Sequence, residues 1–170
     1  MTTRDSGRSR LYDAEQLVMS IFTRAGAGRV VELAGANVTV PAEAQFASAD
    51  SVRDHVERVL AMPSVRERFP RARVAVAVRE RRGHTRAEYR SAAYSSGGLP
   101  EIAIPTSTEG RWALRELVVL HEIAHHLDDS GGPAHGRGFA DTLIDLVSLV
   151  LGPEAGFIYR VVFADSGVLG

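Results

Sequence analysis

"LHEIAHHLDDSGGPAHGRGF", Leu120 to Phe139, carries four of the six histidines in the chain. His121 and His125 stand four apart, His126 follows directly, and His135 comes after the turn Gly131-Gly132-Pro133. On a helix, residues four apart lie about 40° apart on one face and roughly 6 Å apart along the axis. Two imidazoles so placed reach one tetrahedral ion. His-Glu-x-x-His on a helix is also the pattern in which the glutamate takes a proton from a water at the metal instead of binding the metal itself. Glu122 holds that place.

The surroundings of the pattern test it. "RWALRELVVLHEIAHHLDD", residues 111–129, reads as one helix ending before Gly131. With His121 at 0°, Leu114, Leu117 and Val118 fall within about 60° of it. Trp112, Val119, Leu120, Ile123 and Leu127 cluster on the far side, between about 160° and 260°. A helix apolar nearly all round is buried. Two histidines and a glutamate on it must then find partners, and a Zn2+ ion, one per chain, supplies them.

The other histidines divide by direction. His126 lies about 100° round from His125, so it points away from the metal and packs in the core or makes a hydrogen bond. His135 follows a glycine turn that lets the chain fold back, which makes it the expected third ligand. Asp141, Asp145 and Glu154 are the alternatives. Three protein ligands leave a fourth position for water. Nine residues, His126 to Ala134, separate the second and third histidines. The metzincin pattern has five there and a glycine where Asp128 stands, so that class is excluded. Asp128, at about −20°, is placed to orient a ligand imidazole. Tyr94, Tyr159, Arg137 and His126 are candidates to stabilise an oxyanion.

Upstream, Leu11, Ala14, Leu17, Val18, Ile21 and Phe22 repeat at helical spacing, and Gly26 and Gly28 stop that helix. "RVVELAGANVTVP" reads as two strands joined by a turn over residues 34–37. "SADSVRDHVERVLAM" is a helix with Ser48 or Asp50 as N-cap, closed by Pro63, with His55 on its surface among charges. "ARVAVAVRE" alternates as a strand, "RERRGHTRAEYR" follows as an exposed hairpin loop with Gly83 at the tip, and "EYRSAAY" returns. "LPEIAIPT" is a third strand. "GRGFADTLIDLVSLVLG" is the helix after His135. The expected organisation is a loose tail over residues 1–9 and a single α+β domain over residues 10–170.

Composition narrows the function classes. The chain has 170 residues, a net charge of −1 and no cysteine. Thiolate zinc sites and disulfides are therefore excluded, and a metal must be held by His, Asp or Glu. The polar first residues lack the apolar segment of a signal peptide, and no apolar run approaches the roughly 20 residues of a bilayer span. A cytoplasmic location without membrane association is expected. Arg79, Arg81, Arg82, His84, Arg86 and Arg90 concentrate charge, but Glu80 and Glu88 dilute it and aromatics are sparse. This is read as a solvated loop and not as a nucleic-acid surface.

"HEIAHH" followed by "HGRGF" resembles the SprT-like and related small zincin metallopeptidases, whose third histidine opens the next helix. From "RDSGRSRLYDAEQ" through "FPRARV" to "WALRELVVLHEIAHH", the chain is similar to a small actinobacterial family of metallohydrolases. The resemblance implies a zincin-like fold, His121, His125 and His135 as zinc ligands, Glu122 as catalytic base, and a peptide or protein substrate. With no cysteine, the chain departs from the zinc ribbon of SprT proteins, so the likeness brings no DNA-linked role. In zincin-like architectures an edge strand beside the metal pairs with an extended substrate. "EIAIP" is the expected strand, with Glu101, Ile102 and Ala103 as substrate-pairing residues. A zinc-dependent peptidase is the leading expectation. A non-catalytic zinc-binding regulatory or interaction module of the same fold is the alternative, disfavoured by the intact Glu122. Nothing in the sequence signals an oligomeric state.

Overall fold

The first helix, α1 (Arg8–Ala25), buries Leu11, Ala14, Val18 and Phe22, a spacing that lays one apolar stripe along its length. It ends at Gly26, whose φ of 73° is accessible to glycine at little cost. In this computed structural model the described residues are 7–26, 28–107 and 110–170, with the side chains of Arg111 and Trp112 left aside. The expected tail lies outside the described residues as far as residue 6, and so does the Trp112 side chain that the helical wheel used.

The chain divides into two compact units, one made of residues 1–43 and 128–170, the other of residues 44–127. In the first unit, α1 is followed by the antiparallel hairpin of β1 (Val30–Leu33) and β2 (Ala36–Thr39). Leu33 pairs with Ala36, so the turn is only Ala34-Gly35, tighter than the span expected. Both have positive φ, 49° and 78°, as a two-residue turn needs to match the strand twist. The two C-terminal helices are α5 (Arg137–Leu151) and α6 (Pro153–Asp165). Gly152, at φ 105°, and Pro153 at the first helical position break α5 from α6. The two helices pack together, and α6 also meets α1 and β2. The crossing is close at Gly156, where an added Cβ would lie 2.9 Å from Ser148 Cβ. "GFIYRVVF" is thus helical, with Ile158, Tyr159, Val162 and Phe163 buried.

In the second unit, α2 (Ala49–Ala61) starts at Ser48, whose hydroxyl accepts from the Ser51 N–H at 3.2 Å. Pro63 ends it and opens the short α3 (Pro63–Arg68), and a 3₁₀ turn follows over Pro70–Arg73. The sheet is mixed. β3 (Ala77–Glu80) runs parallel to β5 (Glu101–Ile104), and β4 (Glu88–Arg90) runs antiparallel to β5 on its other side. After a second 3₁₀ turn, Arg111–Leu114, comes α4 (Glu116–Leu127). It packs on β4, on the first 3₁₀ turn and on α2. The architecture is α+β.

β3 and β4 do not pair as a hairpin, because β5 lies between them. All four residues of β5 are buried, a pattern that suits a central strand better than an edge. The strand expected from Val74 also starts only at Ala77. The Val74 carbonyl instead accepts a bond from His126 Nε2 at 2.8 Å, which takes it out of any ladder. His55 is not a surface residue. It is buried at 8% exposure, with Nε2 3.0 Å from Glu116. Its own flanking charges misled, because the helix face that carries it also carries Val52, Val56 and Val59.

Candidate metal centre

α4 is held at its first turn before it presents any ligand. The Glu116 N–H donates to the Ala44 carbonyl at 2.9 Å. Its carboxylate accepts from the Ala44 N–H at 2.9 Å and stands 3.0 Å from His55 Nε2. Burial alone would raise the Glu116 carboxyl, but His55, the Ala44 bond and the Arg58 charge outweigh it and hold it below its ordinary 4.5. From there the helix runs through a segment buried on nearly every side, Glu116 to Ala124, as its apolar wheel required.

On this helix His121 and Glu122 are buried and His125 is half-buried. The two ring Nε2 atoms face each other 3.1 Å apart, with ring centroids at 4.8 Å and planes at 74°. Two imidazole nitrogens, each about 2.0–2.1 Å from one tetrahedral ion, would stand about 3.3 Å apart. The pair is already near that separation.

His135 occupies the turn before α5. The Gly136 N–H closes that turn on the Pro133 carbonyl at 3.0 Å. The ring of His135 rests against Tyr12 and Phe139, with centroids at 5.3 and 5.6 Å. The second glycine of "HGRGF" has a packing reason as well. A Cβ on Gly138 would come within 2.5 Å of Ser130 Cβ. Ser130 itself is fixed, since its N–H donates to Asp128 Oδ1 at 3.0 Å.

His121, His125 and His135 each offer a ring nitrogen, and these three nitrogens lie within 4.8 Å of one another, so the group could hold a metal ion. Neutral imidazole suits zinc and several other divalent transition metals. Among the described residues, Asp141, Asp145 and Glu154 are not in this group. Asp141 instead pairs with Arg137 one turn away, at 3.0 Å.

The remaining sequence candidates fall elsewhere. His126 is fully buried, with Nε2 on the Val74 carbonyl at 2.8 Å and Nδ1 on the Tyr89 hydroxyl at 3.1 Å. It points away from the metal side, as its helical angle predicted, and with both nitrogens engaged it does not serve an oxyanion. Burial, helped by the Arg71 charge, holds its imidazole below the ordinary 6.5. Tyr159 is buried in α6 edge-on to Phe163, at 5.4 Å. It is a core aromatic with no exposed surface to offer an intermediate. Tyr94 is 80% exposed. Arg137 is bound to Asp141 and also donates to the Leu169 carbonyl. Asp128 caps the turn at Ser130 through Oδ1.

Glu101, Ile102 and Ala103 are not on an edge. Each is paired on both sides, to Ala77, Val78 and Arg79 of β3 and to Arg90, Tyr89 and Glu88 of β4. Their main chain has no side left for a substrate strand. The strand that meets α4 is β4, and among the described residues it pairs only with β5. On the far side of the sheet, β3 is covered by α2, with Arg53 donating to the Val78 carbonyl at 3.0 Å.

Half of the basic stretch is neutralised locally. Arg79 pairs with Glu101 at 3.1 Å, and Arg81 and Arg90 share Glu88 at 2.9 and 3.1 Å. Sequence reasoning missed Tyr89 and Arg71. Arg71 Nε donates to the His126 carbonyl at 2.7 Å, and burial raises the Tyr89 hydroxyl above its ordinary 10.0 against the opposing pull of the Arg71 charge. Neither residue belongs to the histidine motif, and only the fold brings them to α4.

Compared with protein-family models, with curated proteins and with solved structures, the chain matches none. Fold and site together define an α+β protein with a three-histidine candidate metal centre. Among the described residues, no helix is long and apolar enough to cross a membrane.

Proposed function

We propose that this chain is a zinc-dependent hydrolase of the zincin type that cleaves peptide bonds. The observation that carries the reading is the grouping of three imidazole nitrogens, two of them on a buried helix that also carries Glu122 next to the first ligand. The donor set fits zinc. It is all nitrogen, from a chain without a single thiol, and the His121–His125 spacing of 3.1 Å is near that of two ligands on one ion.

His121, His125 and His135 would hold the ion. Bound there, zinc would supply Lewis acidity toward a scissile carbonyl and lower the pKa of a water. Glu122, next to the first ligand, would be the base that takes a proton from the attacking water and returns it to the leaving amine. The apolar faces of α4 exclude bulk water from its side of the site, which strengthens the charge interactions on which proton transfer depends. An extended peptide has β4 to pair with, since β4 is the strand beside α4 with a side open.

Metal analysis of the purified protein tests the first half: one zinc per chain is expected, and substitution of His121, His125 or His135 by Ala lowers that content. Glu122→Gln tests the second. It keeps zinc and loses hydrolysis of an unstructured protein substrate by at least about 100-fold, the scale of general-base catalysis. Full activity in Glu122→Gln would falsify the mechanism, and a protein that takes up no zinc removes the reading altogether.

A further inference from the structure

Tyr89 is the side chain that the motif does not account for. It stands on β4, outside the histidine-bearing segment, yet its ring lies parallel to that of His125, with planes 9° apart and centroids at 6.3 Å. The same ring meets His126 edge-on at 5.6 Å. One tyrosine therefore lies parallel beside the proposed ligand histidine and meets the adjacent histidine with its hydroxyl.

The hydrogen bonds around it have a defined direction. The Val74 carbonyl can only accept, so His126 Nε2 carries the proton in the 2.8 Å bond between them. In a neutral imidazole Nδ1 is then a lone pair, and the Tyr89 hydroxyl donates to it at 3.1 Å. Arg71 Nε donates to the His126 carbonyl at 2.7 Å, which holds the His126 main chain beside the same pair. The order runs from Tyr89 to His126 to Val74, every donor meeting an acceptor. A phenol whose hydroxyl is engaged by a buried imidazole is anchored at its far end, and its ring is held with it.

We propose that Tyr89 is a positioning residue for His125: its ring, anchored through its hydroxyl by His126, fixes the plane in which the His125 imidazole presents Nε2. This assigns a purpose to the extra histidine of "HEIAHH", which anchors the tyrosine. It rests on the metal-centre reading for its consequence, but not for its geometry. The free energy involved is that of holding an otherwise rotatable ligand in its binding orientation, a contribution that residues behind metal ligands commonly make.

The test uses the full chain with Tyr89→Phe, which keeps the ring and removes its anchor, and Tyr89→Ala, which removes both. Both are checked for a native thermal transition. Zinc affinity is measured by competition with a chromophoric chelator, and the visible spectrum is recorded with Co2+ in place of zinc. Tyr89→Ala is expected to lose between about 10- and 100-fold in affinity and to change the cobalt spectrum, with Tyr89→Phe in between. The ring-nitrogen resonances of His125 and His126 in metal-free protein give a second readout. Tyr89→Phe should move the His126 Nδ1 signal, and Tyr89→Ala that of His125 as well. If wild type binds zinc while folded Tyr89→Ala matches it in affinity and spectrum, the inference is overturned and the proposed function stands. If wild type binds no zinc, the function fails and the nuclear resonances decide: an unmoved His125 in Tyr89→Ala overturns the inference, and a shifted one supports it.

Discussion

Gly138 shows how closely a single residue is fitted around the candidate centre. It lies three residues after His135, under the Ser130 side chain that the Asp128 turn holds in place. Gly138→Ala puts a methyl group 2.5 Å from Ser130 Cβ and closer still to Ser130 Oγ, so the turn must move or the helix start must yield. The expected cost is about 1–3 kcal/mol, the usual range for overpacking, measured as a shift in urea midpoint at unchanged slope. Ser130→Gly in the same chain deletes both clashing atoms and should restore most of the loss. An unaltered midpoint in Gly138→Ala would show that the turn is free to move. Nothing in "HGRGF" distinguishes this glycine, needed for space, from Gly136, which closes the turn on Pro133. The reason lies in residues eight to ten positions upstream that a linear reading takes for loop.

At the level of elements, the helix that carries the histidines depends on its first turn. Glu116 joins α4 to residue 44 through both main chain and side chain, and joins it to α2 through His55. Its carboxyl is held below 4.5 in the folded protein, so the unfolded chain binds the proton more readily. The stabilisation is complete above about pH 4.5 and is lost as pH falls through the folded value. Glu116→Gln keeps an acceptor for Ala44 but loses the charge. It should cost about 1–3 kcal/mol at neutral pH and make stability fall less steeply below pH 4.5, as read from urea midpoints across the acid range. Equal slopes in the two proteins would mean that Glu116 titrates as it does in the unfolded chain. The strands teach a related lesson. Alternating valines marked a strand near residue 78, but strand order is a property of partners, and β5 became central because both its faces are buried.

For the whole molecule, an ion at the proposed centre would tie together histidines that the chain keeps apart. An ion bound only by the folded protein stabilises it by RT ln(1 + [L]/Kd), about 2.7 kcal/mol at one hundred times Kd. For a chain of 170 residues that is a rise in Tm of about 5–10 °C. Scanning calorimetry with zinc and with a chelator should show this difference. His135→Ala should lose most of it, because two imidazoles one helical turn apart hold zinc far more weakly than three donors. A full zinc-dependent rise in His135→Ala would assign the third position to another group.

The sequence by itself determined the chemistry on offer: an all-histidine donor set in a chain without thiols, a glutamate beside the first ligand, and a helix apolar enough to be buried. These follow from residue type and helical period, which are local. It also set apart His126 by angle alone. Only the tertiary structure decided that β5 is central, that β4 borders α4, that His55 is buried against Glu116, and that Tyr89 stands behind His125. Each of these is a pairing between distant segments, selected by burial and by the need of buried donors to meet acceptors, and no local pattern encodes which partner is chosen.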